Sequence, residues 1–323
     1  MKLIVTGGAG FIGSNFIIYW LKKHRKDEIV NIDKLTYAAN LENLNEVSKN
    51  SNYKFIKCDI ANLKMLDRLV KDVDAIVNFA AESHVDNSIK SSTNFIHSNI
   101  VGVHVLLELS RKYGIRLHQV STDEVYGSLE INSKEKFSLK TPYNPRNPYS
   151  ATKASADFLV RAYYNTYKIP VTISNCSNNF GPNQHPEKLI PKTILNALSD
   201  AKIPIYGNGS QIRDWIYVED HCRGIESVLK NGEFGETYLF GGGNEKSNIE
   251  VVKYILEKLG KSQNLIEHIT DRPGHDLRYA IDWSETEKSL GWRPEYSFEK
   301  GMELTIEHYK KNRERYVKQL GGA

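Results

Sequence analysis

Leu3-Ile4-Val5-Thr6-Gly7-Gly8-Ala9-Gly10-Phe11-Ile12-Gly13 opens with an apolar run that breaks into glycines. Such a run predicts a buried strand, a tight turn and a helix starting at the turn. Gly7, Gly10 and Gly13 permit the sharp turn, close approach of a pyrophosphate and close helix–sheet packing. The helix N-terminus then offers N–H groups and a positive dipole end to phosphates. Asp33 closes the next β-branched run, twenty residues beyond Gly13. A carboxylate there suits a ribose diol and repels a 2′-phosphate, so the expected cofactor is NAD rather than NADP. The bland reading is a glycine turn followed by a strand-end acid; strand, glycines, helix, strand and acid in this order speak against it.

Outward from this loop, short β-branched runs at 3–6, 29–32, 53–58, 75–79, 117–121 and 171–175 alternate with helical patterns at 14–24, 63–70, 94–113 and 149–167. This alternation predicts an α/β fold, a Rossmann-type doubly wound parallel sheet with helices on both faces. Beyond about residue 178 prolines punctuate the chain, with helices expected at 190–201, 220–230, 248–259 and 298–318. The expected organisation is a cofactor domain over 1–178, rejoined by parts of 211–246, and a smaller substrate-binding lobe over 179–323. Ligands of open α/β sheets bind at the strand ends, so a cleft between the two is expected.

With 323 residues, 40% of them hydrophobic and 25% charged, the chain has ample material for a buried core and a cleft. Lys and Arg exceed Asp and Glu by 43 to 39, an excess too small to imply nucleic acid. Cys58, Cys176 and Cys222 have neither metal-type nor disulfide-type spacing, so no metal is expected and a cytoplasmic setting fits. Met1-Lys2 leads straight into the first strand, leaving no room for a signal peptide, and no apolar run approaches membrane-spanning length.

Tyr149-Ser150-Ala151-Thr152-Lys153 puts a phenol and an ammonium one helical turn apart. A nearby ammonium favours the phenolate, which can then act as a base. Ser121-Thr122-Asp123-Glu124 adds a hydroxyl and two adjacent carboxylates where a core strand should end. Two acids there are costly to bury unless they are paired or used. Adjacent strand residues point to opposite faces, so a turn at Asp123 is expected if both acids serve one ligand.

The glycine loop with Tyr149 and Lys153 matches the signature of the extended short-chain dehydrogenase/reductase superfamily. Within it, the chain resembles the dTDP-glucose 4,6-dehydratases over nearly its whole length. The blocks that carry this are Asp33 to Tyr37, Ala80 to Asp86, Thr122-Asp123-Glu124, Tyr149 to Lys153, Asn175 to Asn179, Glu187 to Pro191, Arg213-Asp214-Trp215 and Arg272 to Asp276. The resemblance implies catalytic roles for Thr122, Asp123, Glu124, Tyr149 and Lys153. It implies NAD contacts at Gly7, Gly10, Phe11, Ile12, Gly13, Asp33, Lys34, Thr36, Asp59, Ile60, Ala80, Ala81, Ser83, Asn99 and Asn179, besides Tyr149 and Lys153. For the nucleotide sugar it implies His84, Thr122, Asn178, Lys188, Leu189, Pro204, Tyr206, Arg213, Asn248, Arg272 and His275. It further implies a homodimer paired through the two long helices, and a supply of deoxysugar precursors such as dTDP-rhamnose. Ala39, Leu139, Lys140 and Leu277 depart from the family pattern, which touches loop details rather than the expected chemistry.

Chemically, oxidising C4 of a hexose makes C5 an α-carbon and places the C6 hydroxyl β to the ketone. Water can then be lost and the stored hydride returned to C6, with Tyr149 the base at O4, Glu124 the base at C5 and Asp123 the acid at O6. A nucleotide-sugar 4-epimerase would share the fold, NAD and the Tyr/Lys pair, but would not need Asp123 and Glu124. A dehydratase of GDP-mannose or UDP-glucose is a second rival to this reading, and a non-enzymatic NAD-binding protein is a third.

Overall fold

In the computed structural model, which describes residues 1–321, the opening run forms strand β1 (Lys2–Thr6). Leu3 and Val5 pack under one helical layer and Ile4 under the other, as the two-residue period of a strand requires. Burial on both faces is why the strands read as continuous apolar runs. The remaining strands of the main sheet are β2 (Glu28–Asp33), β3 (Tyr53–Lys57), β4 (Ala75–Asn78), β5 (Arg116–Thr122) and β6 (Val171–Cys176). A three-residue strand β7 (Asn178–Phe180) follows, then β8 (Ile203–Tyr206), β9 (Ile212–Tyr217), β10 (Thr237–Phe240), β11 (Glu245–Ser247) and β12 (Ile266–Ile269).

Seven strands form the parallel sheet, in the order β10-β6-β5-β4-β1-β2-β3. The order reverses between β1 and β4, the topological switch point at which α/β sheets leave a crevice. One face is covered by helix Phe11–Lys23, through Phe16 and Trp20, and by helix Val218–Asn231, through Cys222 and Ile225. The other is covered by helices Gly102–Tyr113 and Pro148–Tyr167, through Leu106, Ala156 and Val160. Each large aliphatic side chain so buried contributes about 1.5–3 kcal/mol. The sheet also carries a polar row: Thr6 donates to Asn78 at 2.5 Å and Asn78 to Gln119 at 2.7 Å.

The later chain builds a smaller assembly. Its three-stranded sheet, β11-β9-β7, and the pair β12-β8 are flanked by helices Leu189–Leu198, Asn248–Lys258 and Phe298–Lys311. Two expected helices differ from the structure. The stretch 94–113 contains a turn of π-helix at His97–Val101 between Thr93–Ile96 and Gly102–Tyr113. The stretch 298–318 is broken at Asn312, which separates Phe298–Lys311 from Arg313–Gly321. Among the described residues, no helix is long and apolar enough to cross a membrane.

Candidate active site

A cleft of about 320 Å³ runs along the C-terminal ends of β1, β2, β4, β5 and β6. Gly7 has φ +68°, and a Cβ there would lie 2.6 Å from the backbone N of Ala80 at the end of β4. A Cβ at Gly13 would meet the carbonyl of Gly7 at 2.5 Å. Side chains at these positions would fill the cradle, so the glycines keep it open for a phosphate group. Asp33 accepts from the N–H of Ala9 at 2.9 Å and of Leu35 at 2.8 Å. Each of its oxygens retains a lone pair for a ribose diol. At the far edge Asp59 pairs with Lys34 at 2.7 Å and His97 at 3.0 Å. The cradle, the acid at the end of β2 and this polar rim fit a dinucleotide.

Gly7, Gly10, Phe11, Ile12, Gly13, Asp33, Lys34, Thr36, Asp59, Ile60, Ala80, Ala81, Ser83, Tyr149, Lys153 and Asn179 all line the cleft. Asn99 does not. Its amide is buried and bridges to both backbone groups of Glu82, at 2.9 and 3.0 Å, so it shapes the wall from behind. Glu82, Cys176, Ser177, Gln184, His185 and Glu187 also line the cleft; Gln184 and His185 lie outside the family blocks, and the other four sit inside them with no contact expected of them. Glu187 does carry a signal, since it adjoins Lys188 and accepts from Tyr37 across the cleft at 3.0 Å.

Thr122 ends β5, and the chain turns at once into a 3₁₀ turn, Asp123–Tyr126. The Thr122 hydroxyl accepts from the Glu124 N–H at 3.3 Å, capping that turn. Gly127, at φ +91°, ends it beneath Asn144, whose carbonyl would lie 2.5 Å from a Cβ. The expected turn is therefore present, and Asp123 and Glu124 both line the cleft. Each keeps one buried oxygen, Oδ2 and Oε2, without a protein partner, as does Asn178 Oδ1. Buried polar atoms of this kind call for a polar ligand.

Burial drives the Asp123 carboxyl well above the usual range, and the charges of Glu124 and Asp214 add to this. Burial raises Glu124 too, but Arg272, Arg213 and Lys188 oppose it. The two acids are thus electrostatically unlike, Asp123 favouring its proton more than Glu124 does. Helix Pro148–Tyr167 is fixed by a capping box of Asn147 and Ser150, with Pro148 at its first turn. That start aims Tyr149 and Lys153 at the sheet. The Lys153 ammonium donates to the Val120 carbonyl at 2.7 Å. Burial pushes Tyr149 up, with Glu124 adding, while the nearby Thr122 hydroxyl opposes.

A sequence model of the family described as GDP-mannose 4,6 dehydratase matches residues 4–305. The dTDP-glucose 4,6-dehydratase of Mycolicibacterium smegmatis is 47% identical over 97% of this chain and 94% of that one. The chain belongs to the dTDP-glucose 4,6-dehydratase family. The crystal structure of the Bacillus anthracis member in complex with NAD has a TM-score of 0.93 and 47% identity, covering 99% of each chain. A Streptomyces venezuelae member with NAD bound reaches 0.96 at 43% identity, covering 99% of this chain and 100% of that one.

Family membership sharpens the reading of the second group of residues. Of the expected sugar contacts, Thr122, Asn178 and Lys188 line the cleft. Beyond its mouth, Arg272 pairs with Asp86 at 3.2 Å and lies 5.9 Å from the centre of the Tyr206 ring. Tyr206 donates to the same Asp86 at 2.9 Å, and His275 pairs with Asp271 at 2.6 Å. Arg213 is buried over the Tyr279 ring and donates to the carbonyls of Ile212 and Asp276. His84 lies 3.6 Å from Glu187. Pro204 sits in β8, Leu189 opens a helix and packs on the core, and Asn248 is the first residue of a helix capped by Ser247. None of these eight residues lines the cofactor cleft itself.

Proposed function

We propose that this protein dehydrates dTDP-glucose to dTDP-4-dehydro-6-deoxyglucose, using a bound NAD that is regenerated in each turnover. The observation that carries this is the turn at Asp123, with two unlike acids opening onto one cleft beside Tyr149 and Lys153. NAD in the cleft would supply the oxidant at C4 and the reductant at C6. Tyr149, with Thr122 as its expected hydrogen-bonding partner, takes the proton from O4. Glu124 removes the proton from C5, now acidified by the C4 ketone. Asp123 donates its proton to O6, which departs as water, and a proton returns to C5 as C6 is reduced. Epimerisation requires neither acid.

In this reading Arg213, Arg272 and Lys188 meet the diphosphate, Arg through its two-pronged fork. Pro204 and Tyr206 line the side where the base would lie, and Asn178, His84, Leu189, Asn248 and His275 complete the sugar-nucleotide contacts. Asn179 acts with the glycine loop on NAD, and Asn99 holds the Glu82 backbone behind that wall. The division into a cofactor domain over 1–178, with parts of 211–246, and a substrate lobe over the rest follows from this reading. A cytoplasmic enzyme supplying dTDP-rhamnose-type precursors is its biological counterpart.

The long helices also support a homodimer. Ile96, Val101, Phe158 and Tyr167 are large apolar residues exposed on them, and a symmetric contact would bury them. A monomeric mass in solution would rule this out. The activity is tested by incubating the protein with dTDP-glucose without added reductant and weighing the product. A product lighter by one water supports the assignment. An isobaric galactose epimer would make it an epimerase, and loss of water only from GDP-mannose or UDP-glucose would move the base.

A further inference from the structure

Asp157 is fully buried and takes no part in the proton transfers above. It lies one turn beyond Lys153 and two beyond Tyr149 on helix Pro148–Tyr167, so the three share a face. Its Oδ2 accepts from Ser121 Oγ at 2.7 Å, Tyr143 OH at 2.9 Å and Asn175 Nδ2 at 3.1 Å. Ser121 is the β5 residue before Thr122, and the same Asn175 amide donates to the Thr122 carbonyl at 3.2 Å. Three elements thus converge on one oxygen, while the other, Oδ1, is buried without a partner. Lys153 hydrogen-bonds only a neutral carbonyl, which does not balance its charge. A buried ammonium without a counter-charge is costly.

We propose that Asp157 is a positioning residue: its charge keeps the Lys153 ammonium protonated beside Tyr149, and its hydrogen bonds fix the end of β5 that carries Thr122. Burial pushes Lys153 down, and Asp157 is the first group that pushes it back up. Burial likewise raises Asp157, and Lys153 is the first group opposing that. The other charged or titratable groups around the pair are Arg161 on the same helix, Tyr143 before it, Tyr126 and Asp123 on the turn after β5, and Cys176 on β6. Arg161 is spent on Tyr143, donating to its hydroxyl at 2.9 Å. The inference rests on the reading of Tyr149 and Lys153 as the pair that serves C4 oxidation.

The test uses the NAD-loaded full chain and Asp157→Asn, whose amide oxygen keeps the three contacts while the charge is lost. Lys153 is titrated directly through the lysine ¹³Cε resonance that is missing from Lys153→Met. Reduction of the bound cofactor by dTDP-glucose is followed across pH. In Asp157→Asn the Lys153 titration and the alkaline limb of the reduction rate should both move to lower pH, by about one unit or more. Superimposed titrations overturn the proposal, as does a variant that only melts earlier with its pH profile in place. Should Asp157→Asn not fold, Tyr143→Phe removes one bond that holds the carboxylate ionised. The acidic limb must then move to higher pH, and an unmoved limb overturns the proposal. A shifted Lys153 titration in a protein whose wild type reduces no cofactor upholds the charge pairing and overturns the dehydratase reading instead.

Discussion

The hydroxyl of Thr122 accepts the backbone N–H of Glu124 at 3.3 Å, so the last residue of β5 caps the turn that brings Glu124 into the cleft. In an uninterrupted strand Asp123 and Glu124 would face opposite sides of the sheet. Here they open onto one space with different proton affinities. Glu124→Gln and Asp123→Asn should therefore both allow dTDP-glucose to reduce bound NAD and then stall. Loss of water should slow by about 10²–10⁴-fold, the range of a positioned acid or base. Absorbance of the reduced cofactor in single turnovers separates the steps. Dehydration at the wild-type rate in Glu124→Gln would falsify its role as the C5 base.

Asp214 reports the cost of burying charge behind this site. It is fully buried, accepts from the Asn244 N–H at 2.9 Å, and its carboxyl is pushed up to about 6, chiefly by burial. In the unfolded chain it would lose its proton near pH 4. The folded state therefore holds an extra proton between about pH 4 and 6, and stability falls as pH rises through that window. The full cost, on the order of 3 kcal/mol, is present above pH 6 and absent below pH 4. Asp214→Asn should match wild type in urea denaturation near pH 4 and exceed it by up to about 3 kcal/mol near pH 8. An offset of the same size at both values would exclude the charge as its cause. Since Asp214 also raises Asp123, this variant should lose dehydration at lower pH than wild type.

The fold is legible in the chain because β1, the glycine loop and Asp33 fix a strand, a helix and a second strand through local chemistry. The turn at Asp123 is legible only as a requirement of the chemistry, because no proline or glycine precedes Gly127 to announce it. What the sequence hides are features set by distant packing. Asn99 reads as a cofactor contact but is turned onto the backbone of Glu82, within the π-helical turn. Glu187 and His185 reach the cleft because a loop after β7 folds back across it, and no periodicity encodes that return. The break at Asn312 is silent for a similar reason, since apolar spacing continues on both sides of it.

The cradle at the glycine loop makes a sharper prediction than its motif alone. Gly13→Ala would place a Cβ 2.5 Å from the carbonyl of Gly7, a backbone atom that cannot swing aside. The loop must shift, and with it the N–H groups aimed at the phosphates. Purified Gly13→Ala should retain about tenfold less NAD, or lower still, with the secondary structure intact by circular dichroism; losing two neutral-donor bonds to a charged group is enough for this. Gly114→Ala serves as the control. Gly114, unlike Gly13, has positive φ, yet nothing lies within 4 Å of its Cβ position, so only backbone strain is added and NAD content should hold.

Arg272 separates binding from chemistry. It pairs with Asp86 at 3.2 Å, while its Nε is buried without a partner. A fork held on one side and free on the other is suited to a diphosphate, which needs two parallel donors. Arg272→Lys keeps the charge but loses the fork, so KM for dTDP-glucose should rise by about tenfold to a hundredfold, the worth of one or two charge-assisted bonds. Because the contact lies away from the reacting carbons, it would be made equally in ground and transition states, and kcat should stay within a few-fold. Arg272→Met, which also loses the charge, should raise KM further without altering the rate of cofactor reduction at saturation. A fall in kcat at unchanged KM would instead place Arg272 against C5 or C6, where its pull on the Glu124 carboxylate would matter more than its grip on phosphate.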